Sequence, residues 1–156
     1  MADGDEITRV LVVTDHAAAA PELLETMRER SARSPVQFRV VVTNPAAAEV
    51  HLLHPERHLK AAQAERVLRE ALPLLESAAG GHVIGSVSVR HDPMDAAEET
   101  LHSEPVDEIV IAVHTSHLAR AFHQDLQHRL RHLGLPVTTV PSEAQLPDTR
   151  DEGAEG

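Results

Sequence analysis

The sequence predicts a single α/β domain, a mostly parallel sheet covered on both faces by helices. Short β-branched apolar runs alternate with longer segments of helical periodicity along residues 7–141. Strict alternation of that kind marks successive βαβ units. Runs such as Val10-Leu-Val-Val13 and Ile109-Val-Ile-Ala-Val113 are continuously apolar, as strands buried on both faces must be. A chain of 156 residues is also long enough for one real core, and no second domain or internal repeat is visible in it.

Ile7–Val13 reads as the first strand, ending at Thr14-Asp15-His16. A helix follows from Pro21, whose fixed φ suits a first helical position, to Arg33, with Leu23, Leu24 and Met27 as its apolar stripe. Val36–Thr43 is the second strand, stopped by Asn44-Pro45. After a connection over 44–54, a long helix runs from Pro55 to Ala79, where Ala61, Ala64, Leu68, Leu72 and Leu75 recur at helical spacing. Pro73 is expected to kink it or split its last turns. Val83–Arg90 reads as a third strand with Val83, Val87 and Val89 on one side. Asp92 then caps a short helix that starts at Pro93 and reaches His102. The fourth strand is Glu108–Val113. The last helix runs from Leu118 to Leu133 on a face of Leu118, Phe122, Leu126, Leu130 and Leu133, and Gly134 stops it. Pro136–Val140 is the fifth strand. Residues 1–6 and 142–156 are acidic and polar and are expected to be disordered.

Composition excludes several classes of function. The net charge is −11 and the only aromatic rings of the Phe, Tyr or Trp type are Phe38 and Phe122, so neither a phosphate-binding surface nor a base-stacking platform is expected, and no nucleic-acid partner. Without cysteine there is no disulfide, no thiol nucleophile and no thiolate metal ligand. No apolar run approaches the roughly 20 residues that span a bilayer, and the acidic first residues do not have the form of a signal peptide. A cytoplasmic location with no membrane partner is the expectation.

Three segments carry a resemblance to the universal stress protein family, spread over residues 7–141. They are Val12-Val-Thr-Asp15 at the end of the first strand, Arg90-His-Asp-Pro-Met-Asp-Ala-Ala-Glu-Glu-Thr100, and Val106-Asp-Glu-Ile-Val-Ile-Ala-Val113 followed by a helix and Leu135-Pro-Val-Thr-Thr-Val140. The resemblance implies a flavodoxin-like (Rossmann-like) five-stranded parallel sheet in the order 3-2-1-4-5. It also implies a stress-response or regulatory module, a homodimer formed through the last strand with Val137 and Val140, and ATP or AMP as ligand. Asp15 takes the place of the residue that touches adenine or ribose in the family. One departure matters. Nucleotide-binding members carry a glycine-rich loop after strand four, but Val113 to Gln127 contains no glycine. Backbone amides cradle phosphate best where no Cβ intervenes, and Asp125 stands near the expected phosphate position. The nucleotide site is therefore expected to be altered or lost, and the module to be non-enzymatic.

In the implied strand order, Thr14, Asp15 and His16 face His114, Thr115, Ser116 and His117 across a crevice at the carboxyl ends of the strands, the usual ligand position in open α/β sheets. One reading is a small-ligand or anion site, with the hydroxyls of Thr115 and Ser116 at a helix N-terminus. The other is ordinary capping of the helix that starts at Leu118. An adenine-nucleotide site built on Asp15 and residues 114–117 is the first alternative function. A small enzyme with His114 or His117 as general base, or a metal site of His16, His114 and His117, is the second. Of the twelve histidines, His54/His58 and His128/His132 are spaced i,i+4; the latter pair falls off the apolar stripe and is expected to face solvent. Arg129 and Arg131 are expected on the same solvated face. Asp95, Glu98 and Glu99 are expected to complement the dipole of their helix and not to act as an acid/base pair. No catalytic residue and no resident metal is assigned.

Overall fold

The computed structural model describes residues 6–43, 55–90, 92–116, 118–119 and 126–143. Its strands are β1 (Thr8–Thr14), β2 (Val36–Val42), β3 (Ile84–Val87), β4 (Glu108–Ala112) and β5 (Val137–Thr139). Its helices are α1 (Pro21–Arg33), α2 (Pro55–Ala79), α3 (Pro93–Ser103) and α4 (Leu126–Leu133). All strand pairs are parallel, in the order β3-β2-β1-β4-β5. The chain winds outward through β2 and β3, then returns to lay β4 on the other side of β1. The order therefore reverses between β1 and β4, and the loops after these two strands diverge there.

Successive side chains of a strand point to opposite faces, and β1 separates two cores in that way. Val10 and Val12 join Phe38, Val40 and Val42 of β2 under α1 (Leu23, Met27) and α2 (Ala64, Ala71, Leu75). Leu11 and Val13 join Ile109, Ile111 and Val113 under α3 (Met94, Ala96, Ala97), with Leu118 and Leu133 from the last crossover. Both faces of the sheet are thus covered.

Several local expectations are revised. Helix α2 is unbroken from Pro55 to Ala79 and Pro73 does not split it. Proline forfeits one rung of the helix ladder, but Ala71, Leu75 and Ala78 on either side of it are buried against the sheet and hold the helix through the gap. β3 is shorter than the pattern suggests, and Val89 is 77% exposed instead of sharing the side of Val83 and Val87. The chain turns away at Ser88, whose hydroxyl accepts the Arg90 N–H at 2.9 Å. Asp92 caps α3 as the sequence indicates, accepting the Met94 N–H at 2.9 Å. Gly134, with φ +71°, ends α4 in the left-handed region that favours glycine. At Gly85 an added Cβ would lie 2.8 Å from Leu68 Cδ1, so the glycine lets α2 approach β3 closely. Phe122, His117, Asp125 and the His54 end of the His54/His58 pair lie outside the described residues.

Strand pairing also continues past Pro141. The Val140 N–H donates to the Ile111 carbonyl (2.8 Å) and the Ser142 N–H to the Val113 carbonyl (3.1 Å). Ser142 is only 2% exposed, so the ordered chain extends beyond the expected boundary at residue 141. Val140 packs into the α1/α2 core and Val137 packs against the α3 side. Val140, just past β5, is thus packed within its own chain and is 8% exposed.

Candidate functional site

The reversal point between β1 and β4 brings together the residues that the sequence places there. β1 delivers Thr14 and Asp15 to the carboxyl edge of the sheet, both buried. β4 delivers Val113 and His114 beside them. Asp15 spans the gap. One carboxylate oxygen accepts the Ala17 N–H (2.8 Å), turning the chain sharply after β1. The other accepts the His114 N–H from across the crevice (3.1 Å). Two backbone donors that the diverging loops would otherwise leave buried are satisfied by one side chain.

Beyond it, the chain from 114 to 119 begins the last crossover. Residues 115–116 and 118–119 are helical, so this turn starts at Thr115 and not at Leu118. The cap is His114, not Ser116. His114 Nδ1 lies 3.1 Å from the Ser116 amide and 2.9 Å from its hydroxyl. An amide can only donate, so Nδ1 is the acceptor and the neutral ring carries its proton on Nε2. Thr115 is held from the other side, its N–H (2.8 Å) and hydroxyl (3.0 Å) both donating to the Ser142 carbonyl. The His16 and His114 rings converge, with centroids 5.4 Å apart. His117 lies outside the described residues. Among the described residues, no group of three or more His, Asp or Glu side chains is arranged to hold a metal ion.

Thr14 Oγ1 is buried at this edge and has no hydrogen-bond partner among the described residues. A buried hydroxyl without a partner costs about 1–3 kcal/mol.

A second polar cluster, missed by sequence reasoning, joins α3 to α4. Arg129 is half-buried and reaches Asp95 and Glu98 at 3.1 Å each and Asp92 at 3.7 Å. The expectation of a solvated Arg129 is revised here, and the acids of α3 pair with it besides complementing their helix dipole. Asp92, Asp95 and Glu98 recur every three residues, so they share one face of α3, and that face meets α4. The spacing was the available signal; which arginine it meets is set by packing. Burial opposes the charge on Arg129, while its bonds to Asp95 and Glu98 and the charges of Glu98 and Asp92 favour it by more, so its pKa is raised. A cation with a raised folded value contributes stability below its unfolded value and loses it only as pH rises through the folded one. For a guanidinium both lie above the pH at which proteins are handled, so salt is the practical lever. Arg129→Met should lower stability by about 1 kcal/mol, since the cluster is partly exposed. It leaves three carboxylates facing one another, so the loss measured by thermal melting should shrink in 1 M salt, where the Debye length is about 3 Å.

Glu99, also from α3, accepts the Ser88 hydroxyl at 3.1 Å. Arg30 of α1 holds Glu108 at the start of β4 through two parallel bonds of 3.1 and 3.0 Å. Both contacts tie helices to strands away from the reversal point.

No protein-family model matches this chain, and no curated protein matches it either. Among solved structures, the fold is similar to that of the hypothetical protein PH0823, with a TM-score of 0.61 and 18% sequence identity over 88% of this chain and 98% of that one. At that identity the likeness establishes a shared fold: a single-domain α/β architecture with a five-stranded parallel sheet.

Proposed function

We propose that this protein is a non-enzymatic regulatory module of the universal-stress-protein type, in which the nucleotide crevice has become an internal joint. The observation that carries the reading is the Asp15 carboxylate, held by the Ala17 and His114 amides. A ribose or adenine would have to compete with both donors for the same oxygens. The absence of glycine from 114 to 133 supports it, because no residue there enters left-handed backbone conformations cheaply to wrap a phosphate. His114 as a base is disfavoured for a related reason. Its Nδ1 lone pair serves the Ser116 amide, so it is not directed at a substrate. The module pairs with a second copy through the open backbone edge of β5, which Pro136 and Pro141 keep short.

The buried Thr14 hydroxyl favours one other reading, an adenine-nucleotide site that completes this group's hydrogen bonding. Thermal melting with ATP plus magnesium, and separately with AMP, decides between them. The internal joint predicts a flat response to both. A ligand at 100 times its Kd stabilises by about 2.7 kcal/mol, so a concentration-dependent rise in Tm would overturn the first reading and establish the second.

A further inference from the structure

His128 and His132 stand one turn apart on α4, both exposed, with ring centroids 4.6 Å apart. We infer that the two imidazoles form a chelate for a late divalent transition-metal ion, Cu(II) or Ni(II) ahead of Zn(II). Two imidazoles bound to one ion at ~2.0–2.1 Å in adjacent, roughly perpendicular positions have ring centres about 4.5 Å apart. The observed spacing is therefore already that of a cis pair. The rings are nearly perpendicular, at 83°. Both rings are exposed, so reorienting their nitrogens toward one ion uncovers no core surface.

The surroundings favour a cation. His132 is in the last turn of α4, at the negative end of the helix dipole. Arg129, next to His128, is opposed by Asp92, Asp95 and Glu98, so that cluster carries two surplus negative charges (three acids less one arginine), against the single positive charge of Arg131 in the same turn as His132. Neutral imidazole is a ligand suited to copper, nickel and zinc, and the affinity order of the divalent ions puts copper first. Two protein ligands leave the other positions to water, in keeping with the absence of a third ligating side chain among the described residues.

The test is calorimetric titration of the full chain with Ni(II) at pH 7.5, where most imidazoles are neutral. His128→Gln and His132→Gln are compared with the parent and with His102→Gln, which removes another exposed histidine one helix away. Glutamine is a good helix former, so α4 persists in both variants. Each of the two variants should remove the same one-ion binding event, weakening it on the order of a hundred-fold, since the second ligand acts at high effective concentration on the same helix. His102→Gln should keep that event. Full retention of the parent's binding by either α4 variant, or equal loss in His102→Gln, would overturn the assignment.

Discussion

Replacing Asp15 with alanine is expected to destabilise the protein by about 2–4 kcal/mol while leaving its response to adenine nucleotides unchanged. The carboxylate is 5% exposed and accepts two amides, one from its own turn and one from the far side of the crevice. Its removal leaves those donors without their acceptor, at about 1–3 kcal/mol each. Part of that loss is offset because a buried charge is removed as well. For a domain of this size the change corresponds to a fall in Tm of roughly 5–12 °C. Asp15→Asn keeps one acceptor oxygen but turns an amide N–H toward the other donor, so its effect should be about half. The two readouts separate the roles of this residue. A fall in Tm with no change toward ATP or AMP identifies a structural joint. An unchanged Tm with a lost nucleotide response identifies a ligand contact, and the reading proposed above fails.

Replacing Phe38 with alanine should have the largest effect of any single change in the core, about 3–5 kcal/mol. Phe38 lies in the middle of β2, is 1% exposed and stands opposite Val10 of β1. It is the bulkiest side chain in the core beneath α1 and α2, where the neighbours are mostly valine and alanine. These small β-branched or methyl side chains have little freedom to move into the vacated space, so a cavity remains and the cost stays near the upper end of the range. Since domains have only about 5–15 kcal/mol of stability in total, urea unfolding should show a sharply lower midpoint with little change in slope. A loss below about 2 kcal/mol would mean that α1 and α2 close over the gap.

The effects differ in kind. Phe38 acts through volume and is tolerant of conservative exchange, so Phe38→Leu should recover much of the loss. Asp15 acts through directed bonds, and no side chain of similar size reproduces both acceptors. In open α/β sheets ligands bind at such a reversal point, and a change at Asp15 leaves the packing around Phe38 in place.

The sequence by itself determined the order of elements, the parallel sheet and most of the buried positions. These follow from periodicity: continuous apolar strands such as Val10–Val13, the stripe of Leu23 and Met27 on α1, the cap of Asp92 and the stop at Gly134 are all local patterns with a local physical cause. With the strand order that the family resemblance implies, it also placed Thr14, Asp15, His16, His114, Thr115 and Ser116 at one edge, because strand ends in a given order have fixed neighbours. Only the tertiary structure decided what those residues do. That Asp15 bonds the His114 amide depends on two loops separated by 99 positions in the chain. That His114 caps the turn, that Ser142 is buried beneath Thr115, and that Arg129 meets the acids of α3 likewise depend on distances between elements. Periodicity reports which face of an element is buried; a hydrogen bond needs two groups within about 3 Å, and only the packed chain sets that distance.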